Sequence, residues 1–177
     1  MNKQLMHASE LGFWFEEAPF DAREGLDGPL LAHTFSRNPG LLKLEVLVED
    51  LPPSLQRHLE PVCTFLEERC RSIFTGVPMY TVHGIICRRP GAHRQDTHTD
   101  GGFCTLMVPL SGTIAPTLVW PSTGEWCCTA SASLEPRLAS WSPNEIQFIG
   151  GKRYHAGPGN HGTDPEFILY THACPVV

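Results

Sequence analysis

The sequence predicts a mostly β (α+β) fold, a barrel or jelly-roll sandwich of short strands in which helix is a minority. Sixteen glycines and sixteen prolines in a chain of 177 residues with 41% apolar residues indicate many turns between short segments. At least eight strand-like segments are separated by Gly, Pro, Ser or Asn, whereas a single stretch has the spacing of a long helix.

The length predicts one domain, residues 1–177, which is large enough to bury a core and too short to carry a separate regulatory module. We expect residues 1–78 to form an N-terminal cover with a helix and residues 79–177 to form the β core. Turn-forming residues after an aromatic and acidic stretch predict a hairpin near Asp27-Gly28. Apolar alternation over residues 41–48 predicts a strand.

One long helix is predicted after Pro52-Pro53, with Ser54 as its N-cap residue. Pro61 interrupts the pattern, so either the helix kinks there or a second helix begins with Pro61 in its first turn. One or two N-terminal helices are therefore expected to back the sheet. The apolar positions with helical spacing are Leu55, Leu59, Val62, Leu66 and Ile73.

Strand signals dominate from Met79 onward. Three tryptophans in this part, Trp120, Trp126 and Trp141, are expected to pack in the core or on a sheet face. The predicted strands are residues 79–87, 103–110, 117–120, 125–130, 137–141, 146–149, 153–155 and 167–171.

Charge and cysteine content exclude several classes of protein. A net charge of −6 without any run of Lys or Arg argues against nucleic acid and anionic membranes as partners. With no apolar run of membrane-spanning length and no signal pattern at the N-terminus, we expect no membrane association and a cytoplasmic location. Seven cysteines without a Cys-x-x-Cys pair suggest neither a disulfide framework nor a structural zinc site, and neighbouring Cys127-Cys128 should face opposite sides of a strand.

His98 and Asp100 are the strongest candidates for a chemical role. They are two residues apart, so an extended strand would place both side chains on one face. His155, two residues before the start of Gly157-Pro158-Gly159, is the best candidate for a third ligand. Two imidazoles and one carboxylate are the donors of the 2-His-1-carboxylate site, which holds Fe(II) and leaves coordination positions open. The nearby residues His93, His161 and His172 are expected not to be ligands.

Five segments over residues 79–172 carry a resemblance to a known family. In order they are Pro90-Gly91 ahead of His98-Thr99-Asp100, Thr105-Leu106-Met107-Val108-Pro109-Leu110, Pro143-Asn144-Glu145-Ile146-Gln147-Phe148, Tyr154-His155-Ala156-Gly157-Pro158 and Phe167-Ile168-Leu169-Tyr170. With these segments the sequence resembles the Fe(II)/2-oxoglutarate-dependent oxygenases, particularly the prolyl-hydroxylase-like and phytanoyl-hydroxylase-like branches.

The resemblance implies a double-stranded β-helix, the jelly-roll or cupin-like architecture, with Fe(II) at the open end of the barrel. His98, Asp100 and His155 would be the metal-binding and catalytic residues, with 2-oxoglutarate and dioxygen as cosubstrates. The implied reaction is hydroxylation or another oxidation of an unactivated C–H bond in a small molecule or a peptidyl side chain. Related halogenases replace the carboxylate with a small residue, so Asp100 favours hydroxylation, demethylation or desaturation over halogenation.

One position departs from the family. Where relatives anchor the far carboxylate of 2-oxoglutarate with Arg or Lys, this chain has Glu166. Two arginines are candidates to bind that carboxylate instead: Arg89, beside the Pro-Gly turn, and Arg153, which would share the inward face of a regular strand with His155. Tyr80 is a further hydrogen-bonding candidate. Alternatively, Arg89 or Arg153 neutralises a buried Glu166.

Glu166 also leaves two other functions open. The chain would then be a non-haem iron oxygenase that does not use 2-oxoglutarate, or a catalytically inactive β-barrel binding protein that kept the fold. The sequence leaves the oligomeric state open.

Overall fold

Nine strands in two antiparallel sheets form the body of the part of the chain that the structure describes. The computed structural model describes residues 13–24, 26, 28–36, 38, 40–111, 114–120, 135–142 and 144–176. The larger sheet has the strand order β1-β7-β4-β9-β3-β2 and is built from β1 (Phe13–Glu17), β2 (Lys43–Leu47), β3 (Met79–Arg88), β4 (Cys104–Pro109), β7 (Glu145–Gly150) and β9 (Glu166–Pro175). The smaller sheet has the order β6-β5-β8 and contains β5 (Thr117–Val119), β6 (Arg137–Ala139) and β8 (His155–Ala156).

Strands distant in sequence lie side by side in the larger sheet. The last strand, β9, lies between β3 and β4, and β4 also pairs with β7. One cavity is lined by residues of both sheets, including Thr117 and His155 from the smaller one. This arrangement confirms the predicted mostly β fold and its double-stranded β-helix architecture.

The part of the chain that the structure describes has two α-helices, α1 (Gly28–Phe35) between β1 and β2, and α2 (Pro53–Ile73) between β2 and β3. The predicted hairpin near Asp27-Gly28 is wrong at Gly28, which begins α1; Asp27 lies outside the described residues. The predicted N-cap is also wrong, because α2 begins at Pro53 and Ser54 lies in its first turn. A proline suits this position because the first N–H groups of a helix have no partner within it.

Pro61 lies inside one continuous helix, so no second helix begins there. A proline at this position removes the hydrogen bond to the carbonyl of Arg57. Pro61 and Arg57 both lie on the exposed side of α2. The freed carbonyl therefore faces solvent, where its loss of a helical donor costs little.

The two faces of the larger sheet have different tasks. On β9, Phe167, Leu169 and Ala173 belong to the main hydrophobic cluster, whereas Ile168 and Tyr170 line the cavity. The same alternation holds on β2, β3 and β4. The outer face is covered by the buried side of α2, so helix and sheet share one core, and burial of each large side chain there contributes about 1.5–3 kcal/mol.

The N-terminal segment and the β-helix share this cluster. Leu31 and Phe35 of α1 are part of this cluster, and the ring centroids of Phe35 and Phe167 are 5.5 Å apart. Trp14 of β1 stacks on Phe148 of β7 with ring centroids 3.6 Å apart. The single-domain organisation stays a prediction, consistent with this shared packing.

Three further predictions concern a strand over residues 125–130, membrane-spanning segments and the cysteines. The predicted strand over residues 125–130, with Trp126 and Cys127-Cys128, lies outside the described residues. No helix in the described part of the chain is both long and apolar enough to cross a membrane. The five cysteines that the structure describes are free thiols: Cys63, Cys70, Cys87, Cys104 and Cys174.

Gly151 lies where the chain leaves β7 and passes the segment after Asp100. Its carbonyl accepts a hydrogen bond from the N–H of Gly101 at 2.8 Å, and a Cβ at Gly151 would lie 2.0 Å from the Gly101 carbonyl oxygen. We expect Gly151→Ala to destabilise the protein by about 1–3 kcal/mol, as overpacking against fixed groups does. For a chain of this size, each kcal/mol lowers Tm by about 2–4 °C, measurable by circular dichroism.

Gly40→Ala is the matched control, because nothing lies within 4 Å of a Cβ at Gly40. Equal melting temperatures for the two variants would contradict the close approach at Gly151.

Candidate metal centre

Two histidines distant in sequence are brought together by reciprocal backbone hydrogen bonds. The N–H of His98 donates to the carbonyl of His155 at 3.0 Å, and the N–H of His155 donates to the carbonyl of His98 at 2.9 Å. Residues directly opposite in an antiparallel pair project to the same face. The imidazole rings therefore lie side by side, with centroids 4.4 Å apart.

The carboxylate joins them through the chain that follows His98. Asp100 Oδ1 lies 3.5 Å from His98 Nε2 and 3.5 Å from His155 Nε2. Directly after Asp100 the chain turns through Gly101 and Gly102, whose φ angles of 74° and 58° are in the left-handed region that glycine adopts without steric cost. The predicted regular strand is absent here, since His98 forms an isolated bridge with His155.

The three side chains fit a metal ion. One ligand atom from each of His98, Asp100 and His155 lies within 4.8 Å of the other two. Ligands at about 2 Å from a common ion and at right angles to one another would lie about 3 Å apart, so small side-chain movements close the site. Two imidazoles and a carboxylate on one face are the donors of Fe(II) sites with open coordination positions.

The tautomer of each imidazole is set by a backbone carbonyl two residues earlier. His98 Nδ1 lies 2.7 Å from the Asp96 carbonyl oxygen, and His155 Nδ1 lies 3.0 Å from that of Arg153. Because a carbonyl oxygen only accepts, each Nδ1 carries the proton and donates. Both Nε2 lone pairs are thus available to a metal, and the carbonyls hold the ring orientations.

Electrostatics prepare the same groups. Burial lowers the pKa of His155, although Asp100 partly offsets this, so the imidazole is neutral at neutral pH. The interaction with the Asp100 carboxylate raises the pKa of His98, although burial opposes this. Burial raises the pKa of Asp100, but the interactions with His98, His155 and Thr105 outweigh it and hold that pKa at about 2. The carboxylate is therefore ionised at any physiological pH.

Thr105 and His172 hold the second oxygen of the carboxylate. Thr105 Oγ1 donates to Asp100 Oδ2 at 2.6 Å and lies 3.0 Å from His172 Nδ1. Since the hydroxyl has one proton and gives it to Asp100, it accepts from His172. His172, predicted not to be a ligand, acts through Thr105 in this arrangement. The sequence carried no signal for it, because the contact depends on cross-strand register.

A cavity of about 390 Å³ opens at the three ligand residues. Its apolar wall includes Met107 and Ile168, and Trp141, expected to pack in the core or on a sheet face, also contributes. Gly84 makes room for the Tyr170 ring, because a Cβ there would lie 2.4 Å from the Tyr170 hydroxyl. Polar and charged lining residues that the sequence did not reveal include Lys43, Glu45, Arg88, Gln95 and Thr117.

The three residues considered for the cosubstrate are not among the described residues that line this cavity. The Arg89 guanidinium instead donates to the carbonyls of Phe35, Asn38 and Leu41, which fastens the end of α1. Tyr80 is 53% exposed at the far end of β3. Arg153 precedes β8, so the strand parity that placed it beside His155 does not apply.

Arg88, one residue before the predicted Arg89, is the arginine that lines the cavity. It lies opposite Glu166 in the register of β3 and β9, and Arg88 Nη2 is 3.3 Å from Glu166 Oε2. A buried charge on Glu166 is thus paired, as the alternative interpretation expected, but with Arg88 rather than with Arg89 or Arg153. Val82 and Ile86, which also line the cavity, are separated from Arg88 by even numbers of residues on β3. This alternation of side chains along the strand is the sequence signal that would have identified Arg88.

No family model matches the sequence, and no curated protein is significantly similar to it. Solved structures do share the fold. The non-heme α-ketoglutarate-dependent epimerase SnoN from nogalamycin biosynthesis has a TM-score of 0.65 at 12% identity, with 98% of this chain and 81% of SnoN covered. HygX from Streptomyces hygroscopicus, solved with nickel and 2-oxoglutarate bound, has a TM-score of 0.64 at 11% identity over 99% of this chain and 87% of HygX.

A third similar structure is the viral collagen prolyl hydroxylase of Paramecium bursaria Chlorella virus-1, solved as a 2-oxoglutarate complex. Its TM-score is 0.61 at 13% identity, and the match covers 93% of this chain and 96% of the hydroxylase. At these identities the likeness establishes the fold. What the site does rests on the side chains of this chain.

Loss of either imidazole should abolish specific metal binding. We expect the wild-type protein to bind one Fe(II) per chain in an anaerobic titration, and His98→Ala and His155→Ala to lose this binding because two donors do not retain the ion. His93→Ala is the control, since His93 is exposed. Equal binding by all four proteins would reject the site.

The Thr105 hydroxyl should tune the affinity for the metal. Thr105→Val has nearly the same shape but lacks the donor to Asp100 Oδ2. We expect about a 10-fold to 100-fold weaker metal affinity, as for other groups that orient a ligand. Thr105→Ser keeps the hydroxyl and should stay close to wild type, and equal affinities for the Val and Ser variants would show that the hydrogen bond does not matter.

Proposed function

We propose that this chain is a non-haem Fe(II) oxygenase that uses 2-oxoglutarate and dioxygen to hydroxylate or otherwise oxidise an unactivated C–H bond. The observation that carries the proposal is the convergence of His98, Asp100 and His155, with ligand atoms within 4.8 Å of one another, at the cavity between the sheets. The donor types and their setting match what such a site requires.

Fe(II) would be held by the Nε2 atoms of His98 and His155 and by Asp100 Oδ1. Bound Fe(II), with 2-oxoglutarate, would supply the activation of dioxygen that the side chains themselves cannot provide. The carbonyls of Asp96 and Arg153 keep the imidazoles in the ligating tautomer, and Thr105 holds the carboxylate. Because His98, Asp100 and His155 line the cavity, an ion that they held would be accessible to cosubstrate and substrate from the cavity.

The cavity walls would shape the environment of the reaction. Val82, Ile86, Met107 and Ile168 contribute apolar surface to the lining. Such a shell limits the access of water to a metal site and thereby protects a reactive centre from side reactions. The polar lining residues are then left to orient the molecules that enter.

Similar structures support this assignment. SnoN is described as α-ketoglutarate dependent, and HygX and the viral prolyl hydroxylase were solved with 2-oxoglutarate. HygX was also solved with hygromycin B, whereas the viral enzyme is a collagen prolyl hydroxylase. We therefore propose a small molecule or a peptidyl side chain as substrate, and neither nucleic acid nor a membrane as partner.

Succinate formation tests the reaction. We expect the Fe(II)-loaded protein to convert isotopically labelled 2-oxoglutarate to labelled succinate in air with ascorbate, detected by mass spectrometry. His98→Ala and Asp100→Ala should fall to the level of buffer with iron, because the ion is not held, while His93→Ala should match wild type. A wild-type protein that binds iron without forming succinate would favour an oxygenase that does not use 2-oxoglutarate or an inactive binding protein.

A further inference from the structure

We propose that Arg88 binds the far carboxylate of the cosubstrate through its Nε and Nη2 edge, and that Glu166 competes with that carboxylate for the guanidinium. This inference rests on the proposed function and on 2-oxoglutarate being held at the metal centre through its keto acid end. It assigns the recognition of the cosubstrate to a buried ion pair on β3 and β9.

A dicarboxylate in this cavity needs a cation for its far end. A carboxylate removed from water is costly unless it is paired and hydrogen-bonded. Among the described lining residues, Lys43 and Arg88 are the Lys and Arg side chains. Lys43 is an exposed residue, whereas Arg88 is only 3% exposed. Arg88 is therefore the cation with little competing hydration.

The guanidinium has unused donors on the edge that binds carboxylates best. Arg88 Nη1 donates to the carbonyl of Pro158 at 2.9 Å, but Nε and Nη2 are buried without a hydrogen-bond partner. Nε–H and Nη2–H point in parallel and match the two oxygens of one carboxylate. Buried donors are normally satisfied, so this open fork indicates a missing acceptor.

Glu166 does not fill that place. Its Oε2 lies 3.3 Å from Arg88 Nη2, yet the two atoms are not aligned as a hydrogen bond, and Oε2 itself has no hydrogen-bond partner. The carboxylate also accepts a hydrogen bond from the N–H of Ala115. Burial raises the pKa of Glu166 although Arg88 opposes this. Glu166 thus offsets part of the Arg88 charge without saturating its donors.

The backbone around Arg88 is fixed, so the fork is held in place. The fully buried side chain of Asn160 donates from Nδ2 to the carbonyl of Arg88 at 2.8 Å and to that of Asp164 at 2.8 Å. Pro158, which accepts from Nη1, follows His155 by three residues. The same short segment therefore joins the metal centre to Arg88 along the cavity wall.

Two probes isolate recognition of the far carboxylate. 2-Oxopentanoate has the same carbon chain and keto acid end as 2-oxoglutarate but lacks the second carboxylate. Dissociation constants for both would be measured by anaerobic calorimetry on the Fe(II)-loaded protein. We expect wild type to prefer 2-oxoglutarate by at least about tenfold, as one charge-assisted bidentate contact provides.

The variants then locate that preference. Arg88→Met should abolish it while the affinity for 2-oxopentanoate is kept, which also shows that the site is folded. Glu166→Gln removes the competing charge with little change in shape. It should lower the dissociation constant of 2-oxoglutarate by about tenfold and leave that of 2-oxopentanoate unchanged. Lys43→Met is the control, and loss of preference there but not in Arg88→Met would overturn the assignment.

A charge exchange covers the case in which Arg88→Met does not fold. Because Arg88 and Glu166 are opposite in the strand register, Arg88→Gln combined with Glu166→Arg moves the guanidinium across the pair. We expect this double variant to retain the preference for 2-oxoglutarate. A double variant that binds both probes equally would contradict the proposal.

The outcomes separate this inference from the function beneath it. If neither 2-oxo acid binds the metal-loaded wild type, the cosubstrate assignment itself is wrong. If both bind wild type equally, the keto acid end is recognised but Arg88 is not the anchor, and only the further inference is overturned.

Discussion

The reciprocal backbone pairing of His98 with His155 is the constraint on which the rest of the site depends. Two hydrogen bonds fix two imidazoles from different parts of the chain on one face, and Asp100 reaches them because the chain turns immediately afterwards through Gly101 and Gly102. The pairing also leaves each Nδ1 beside the carbonyl two residues earlier in its own segment, which selects the tautomer. Backbone geometry therefore decides both the position and the chemistry of the ligands.

The larger sheet serves two purposes through the alternation of its side chains. On β2, β3, β4 and β9, alternate residues belong to the hydrophobic core shared with α2, and those between them line the cavity. Stability and function are thereby assigned to opposite faces of the same strands. Thr105 shows the benefit, since its neighbours on β4, Cys104 and Leu106, are fully buried in the core and hold the hydroxyl against Asp100.

The charged groups that line or adjoin the cavity differ in how many of their polar atoms have a partner. Asp100 has partners at both oxygens, whereas the Arg88 and Glu166 pair leaves donors and an acceptor unused. Incomplete bonding of buried ions is costly and rare, so it is informative where it occurs. In this cavity it coincides with the place where a dicarboxylate cosubstrate would need a cation.

The sequence by itself determined the fold class, most strand positions and the residue types of the metal site, because apolar alternation, turn residues and a His-x-Asp spacing are local signals. It did not determine that Gly28 begins a helix or that Pro61 is tolerated within α2, since burial and exposure decide both. The sequence also did not identify the arginine that faces the cavity. Arg88 and Arg89 are neighbours on the chain, and only the alternation of side chains along β3 places Arg88 in the cavity. Tertiary structure alone decided that Arg88 lies opposite Glu166 and that Thr105 supports Asp100, because cross-strand register joins residues that no sequence spacing relates.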